Sequence, residues 1–165
     1  GIFIRSIQMS AYPHIKNDFV IIRKPETKDA PKLRFLFEHP LSITKTEEML
    51  AALEGKYKRL EELAMTIADK NNQPVGMLEL YDLQEKTVEI GYRILPARQK
   101  QGYASQAVAE ILAWLKTTSV QKVIARTAVE NEASQKVLLK NGFVLVQTAK
   151  ICVYEYDMEE THDEN

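Results

Sequence analysis

The stretch that most constrains this chain is a strand running through a short loop into a helix around Gly102. Residues 88–95 alternate apolar and polar, with Val88, Ile90, Tyr92 and Ile94 as the apolar set, and Pro96 closes the run. Past Gln99-Lys100-Gln101-Gly102-Tyr103-Ala104, the residues Tyr103, Ala107, Ile111 and Leu115 recur four apart, with Ala104, Val108 and Leu112 beside them. A helix is therefore predicted from Gly102 to about 118. A helix start leaves backbone N–H groups unpaired, and the helix dipole adds positive potential there. A phosphate or pyrophosphate is the natural guest of such a site. Gly102, lacking a side chain, lets one approach closely. A glycine at a strand–helix junction also serves turn geometry alone, so the loop takes its meaning from its surroundings.

The rest of the chain supplies a fold around this unit. Residues 19–23 form a short β-rich run that Pro25 ends. Thr27 is the expected cap of a helix through Leu33, Leu36 and Phe37, and Thr46 that of a second through Met49, Leu50, Leu53, Tyr57 and Leu60, which Gly55 should interrupt. Residues 64–69, 75–81 and 88–95 read as three strands with polar turns, an antiparallel meander. Residues 122–129 should lie parallel to 88–95, because a helix joins the two and such a crossover is right-handed. A last helix starts at Glu130 or Asn131 and ends at Asn141-Gly142, and strands over 143–149 and 152–158 finish the domain. The predicted class is α+β, a mixed, mostly antiparallel central sheet with helices on both faces.

Composition narrows the function classes. A length of 165 residues suits one domain with a proper core, and a net charge of −1 shows no basic excess for a nucleic-acid partner. Cys152 is the only cysteine, so no intramolecular disulfide forms, and a cytoplasmic location is expected. No apolar run is long enough to span a membrane. His14, His39 and His162 are scattered without ligand spacing, so no metal site is expected. Residues 1–8, ahead of Met9, read as a leader outside the domain at 9–158, and 159–165 as an acidic tail.

Gln99-x-x-Gly102-x-Ala104 resembles the acyl-coenzyme A pyrophosphate loop of the GNAT superfamily of N-acetyltransferases. Asn131-Glu132-Ala133-Ser134 and Asn141-Gly142-Phe143 resemble that family's second block, in an order and spacing similar to the ribosomal-protein N-terminal acetyltransferase subgroup. The likeness covers about 75–146. It implies transfer of an acetyl group from acetyl-CoA to a primary amine, on a protein N-terminus or a small molecule, by direct attack in a ternary complex. The alternative it leaves is a non-catalytic acyl-CoA-binding module, and the protein would be a monomer or a homodimer. The cofactor would lie between two splayed parallel strands, 88–95 and 122–129. It would meet backbone N–H groups near Ile94 and Leu95 and the loop residues Gln99, Lys100, Gln101, Gly102, Tyr103 and Ala104, with charge from Arg98 and Lys100.

Glu89 is the leading candidate for the base that takes a proton from the acceptor, with Glu79 second. Glu89 also reads as a solvated outer-face carboxylate beside Arg93. Asn131 is either a cofactor contact or a plain N-cap. Ser134 lies near the cofactor thiol by motif position, or serves local hydrogen bonding. The tyrosine that many family members place four residues before the glycine of Gly-Phe is Leu138 here, so either Ser134, a water or another tyrosine supplies the proton for the departing thiolate, or no acid is needed.

Overall fold

The computed structural model describes residues 12–159. The expected leader, and all of the acidic tail but Glu159, lie outside them. Among the described residues eight strands form one sheet in the order β1-β2-β3-β4-β5-β6-β8-β7. The strands are β1 (Ile15–Lys16), β2 (Val20–Arg23), β3 (Glu62–Asp69), β4 (Pro74–Tyr81), β5 (Thr87–Ile94), β6 (Lys122–Ala128), β7 (Val144–Thr148) and β8 (Ile151–Asp157). Every neighbouring pair is antiparallel except β5–β6. That parallel pair holds for three rows only, from Thr87↔Lys122 to Glu89↔Ile124, and beyond them the strands part. The mixed sheet and the splayed pair are those expected from the sequence. β1 was not legible, because two residues carry no periodicity.

Among the described residues four α-helices cover the sheet: α1 (Ala30–Leu33), α2 (Ile43–Lys58), α3 (Tyr103–Leu115) and α4 (Glu132–Lys140). Alternation along β5 sends Val88, Ile90, Tyr92 and Ile94 to one side, where they join Ala107, Val108 and Ile111 of α3 and Leu138 of α4. The other side carries a smaller core, in which Leu33 of α1 and Leu50 and Leu53 of α2 pack on Ala64 and Met77.

Three local expectations are corrected. Thr27 does not cap one long helix. It opens a 3-10 turn (Thr27–Asp29) capped by Glu26, followed by the short α1 and a second 3-10 turn, Arg34–Leu36. Asp29 is the reason, because its buried carboxylate holds Arg23 through two bonds of 2.8 and 2.9 Å and also accepts from Thr66. The cap of α2 is Ser42, whose hydroxyl accepts from the Lys45 N–H, while Thr46 is buried one turn in and donates to the Ser42 carbonyl. Gly55 does not break α2, which runs through it to Lys58. The stop after α4 is as predicted: Gly142 takes φ of 88°, and the Gly142 and Phe143 N–H groups close back on Leu139 and Leu138.

Candidate active site

The site forms where β5 and β6 part. Helix α3 begins at Gly102, whose φ of 93° suits a residue without Cβ. The first bond into the helix is that of Gln106 N–H to the Gly102 carbonyl. The N–H groups of residues 102–105 therefore have no acceptor among the described residues. Among the described residues a Cβ at Gly102 would meet only Phe19, 3.7 Å away. A pyrophosphate fits this helix start, and an extended arm fits the parting strands.

The side chains of the loop mostly brace it. Gln99 donates to the Ile94 carbonyl at 3.1 Å, and Gln101 to that of Ala97 at 3.3 Å. Arg98 is bound to Asp69 at 3.0 Å and to the Tyr103 hydroxyl at 2.9 Å, so its charge is largely answered within the fold. Lys100 sits exposed with φ of 62°, and Ala104 lies in the first turn of α3. The Tyr103 ring is buried and stacked on Phe19 at 4.7 Å, which leaves its N–H as the group that faces a ligand. The backbone of Leu95 is occupied as well: its N–H donates to Val75 and its carbonyl accepts from Arg98, each at 2.8 Å. Alternation turns the N–H of Ile94 the opposite way, toward the gap.

The two candidate carboxylates differ sharply. Glu89 lies in the last paired row, opposite Ile124, and forms an ion pair with Arg126 on the half-exposed sheet surface. Glu79 pairs with Gly91, in the region where β5 has left β6. With no side chain at Gly91, the Glu79 carboxylate lies over that residue, Oε2 being 3.6 Å from where a Cβ would stand. Burial pushes the Glu79 carboxyl up to about 7; Arg93 pulls it down and Glu62 raises it further.

On the opposite face of the gap, Tyr92 meets α4. Its hydroxyl is 2.8 Å from Ser134 Oγ and 3.3 Å from the Ser134 carbonyl. Burial raises the Tyr92 pKa, only partly offset by the bond to Ser134, so the phenol keeps its proton at neutral pH. Asn131 is the N-cap of α4, its Oδ1 accepting from the Ser134 N–H at 3.1 Å. Leu138 is wholly buried in the α3–α4 core. Tyr92 escaped the sequence reading because its alternation placed it among core residues, and its partner lies 42 positions further on.

A helix start with unpaired N–H groups thus stands beside a splayed parallel pair, with a carboxyl on one side of the gap and a phenol on the other. The chain belongs to the GNAT acetyltransferase family: residues 17–144 match the family described as acetyltransferase (GNAT) domain. An uncharacterised N-acetyltransferase of Bacillus subtilis (strain 168) is 24% identical over 147 residues, 80% of this chain and 83% of the relative. The ribosomal-protein-serine acetyltransferase of Escherichia coli (strain K12) is 29% identical over 79 residues, 46% of this chain and 44% of its own. A solved ribosomal-protein α-N-acetyltransferase in complex with coenzyme A superposes with a TM-score of 0.77 at 18% identity, covering 88% of this chain and 98% of that one. The reaction is acetyl-CoA-dependent N-acetyl transfer, and none of these likenesses favours a non-catalytic module. Among the described residues no helix is long and apolar enough to cross a membrane.

Proposed function

We propose that the protein acetylates a primary amine at a protein N-terminus in a ternary complex, with Glu79 as the base and the Tyr92–Ser134 pair as the proton source. The observation that carries this reading is Glu79: a carboxyl held near 7, over Gly91, where β5 leaves β6. Bound acetyl-CoA supplies an acetyl group already activated as a thioester. The N–H groups of residues 101–104 and of Ile94 hold it, Lys100 adds charge, and Asn131 fixes the first turn of α4 beside it. An amine is mostly an ammonium at neutral pH, so Glu79 removes a proton before attack. It is suited to this because a carboxyl with pKa near the working pH is both ionised and basic enough. Tyr92, with Ser134 at hydrogen-bond distance, holds a proton on the other side of the gap for the departing sulfur.

The acceptor class is supported by the relatives that act on ribosomal proteins. A cytoplasmic setting is supported by the single cysteine, buried and free.

Glu79→Gln and Glu89→Gln, assayed by thiol release on a panel of N-terminal peptides and small amines, test the assignment. Glu79→Gln should lose roughly 10²-fold in kcat near pH 7 with little change in coenzyme A affinity. Glu89→Gln, which removes a half-exposed pair with Arg126, should stay within a few-fold of wild type. The reverse pattern would return the role to Glu89.

A further inference from the structure

One buried side-chain polar atom among the described residues lacks any partner, the Thr127 hydroxyl. Buried hydroxyls are nearly always hydrogen-bonded, because leaving one unmade costs its full desolvation. Thr127 is 8% exposed and stands on β6 in alternation with Val123 and Ala125, so it faces the α3–α4 side. Its row decides its meaning. Three residues past the last pair, Glu89↔Ile124, the same register sets Thr127 opposite Tyr92. Here β5 and β6 have parted, so Thr127 lies along the gap, in the row of the phenol that binds Ser134. Tyr154, opposite Ala125 on β8, donates to Gln135, and Gln135 donates to the carbonyls of Ala128 and Val129.

We infer that Thr127 is a cofactor-binding residue, whose hydroxyl is completed by an amide of the pantetheine arm of acetyl-CoA beside the thioester. This rests on the proposed seating of that arm between β5 and β6. A hydroxyl can donate to an amide carbonyl or accept from an amide N–H, so either group of the arm satisfies it. The empty-handed protein bears the unmade bond, and the loaded one does not. Thr127 therefore favours the arm over any chain that brings only methylene groups to this row.

The test uses the whole protein, with Thr127→Val as the near-isosteric loss of the hydroxyl and Thr127→Ser as its rescue. Calorimetry measures coenzyme A and, separately, its nucleotide part without the arm, and melting of the ligand-free proteins gives a second readout. Thr127→Val should bind coenzyme A about fivefold more weakly, the worth of one hydrogen bond, while its affinity for the armless nucleotide is unchanged. It should melt no lower than wild type, since it loses an unsatisfied polar atom, and Thr127→Ser should restore the affinity for coenzyme A. Equal binding of coenzyme A by wild type and Thr127→Val overturns the inference while leaving the seating intact. Parallel loss of both ligands, or a lowered melting point rescued by serine, overturns it in favour of a structural hydroxyl. If wild type binds the armless nucleotide as tightly as coenzyme A, the seating of the arm itself fails.

Discussion

Glu79 shows how a single side chain couples stability to chemistry. Its folded pKa of about 7 stands above the ordinary 4.5, so the folded protein holds the proton more tightly than the unfolded chain. The stabilisation this brings is complete below pH 4.5 and is lost as pH rises through about 7. Glu79→Gln, neutral throughout, should therefore match wild type near pH 4 and exceed it by roughly 2 kcal/mol at pH 8, discounted for partial exposure and for Arg93. Denaturant melts of both proteins across that range check it, and a constant difference would mean that Glu79 is ionised when folded. None of this was legible from the residue itself. Glu79 and Glu89 both sit at polar places of alternating strands, and alternation assigns each a face without naming its neighbours. Only the register, which puts Glu79 over Gly91 and hands Glu89 to Arg126 of β6, separates a buried carboxyl from a paired surface one.

Elements shape the proposed cofactor site through two glycines. At the start of α3, Gly102 holds φ of 93°, where a β-branched side chain is strained. Gly102→Val should weaken coenzyme A binding by roughly 2 kcal/mol or more in a protein that still folds, because the Cβ itself meets Phe19 only at 3.7 Å. Unchanged affinity by calorimetry would remove the helix start from the site. Gly76 acts by close approach instead. A Cβ there would lie 2.2 Å from the Arg93 carbonyl and 2.9 Å from Ile94, so β4 and β5 would have to separate where Leu95 bonds to Val75. Gly76→Ala should cost about 2–4 kcal/mol of stability, read as a lowered denaturation midpoint. The β5–loop–α3 unit was readable from sequence because its two periods, two and then four, meet at a glycine. The segment between β2 and α2 was not, because Asp29 is recruited by Arg23 from a strand and trims a helical pattern into short turns. Such partners come from other elements and leave no local period.

At the scale of the whole molecule, the sheet is two parts joined along a short seam. β1 to β5 form one run and β6, β8 and β7 the other, and the seam between them is three rows of β5–β6. Helices α3 and α4 pack across it on one face, through the core that holds Val88, Val123 and Leu138. A ligand seated where the seam opens touches both parts, and it binds the folded chain alone. Coenzyme A at a hundred times its dissociation constant should therefore stabilise the protein by about 2.7 kcal/mol. For a chain of this size that raises the melting temperature by roughly 5–10 °C. The gain should be spatially selective. Amide exchange should slow at the start of α3, at Ile94 and along the parted end of β6, from Ala125 to Ala128, while β1 and β2 follow only the global change. Protection confined to the start of α3, with β6 unaltered, would mean that the nucleotide binds at the helix and the arm does not enter the gap. Tyr92, Ser134 and Thr127 would then have no thioester to meet.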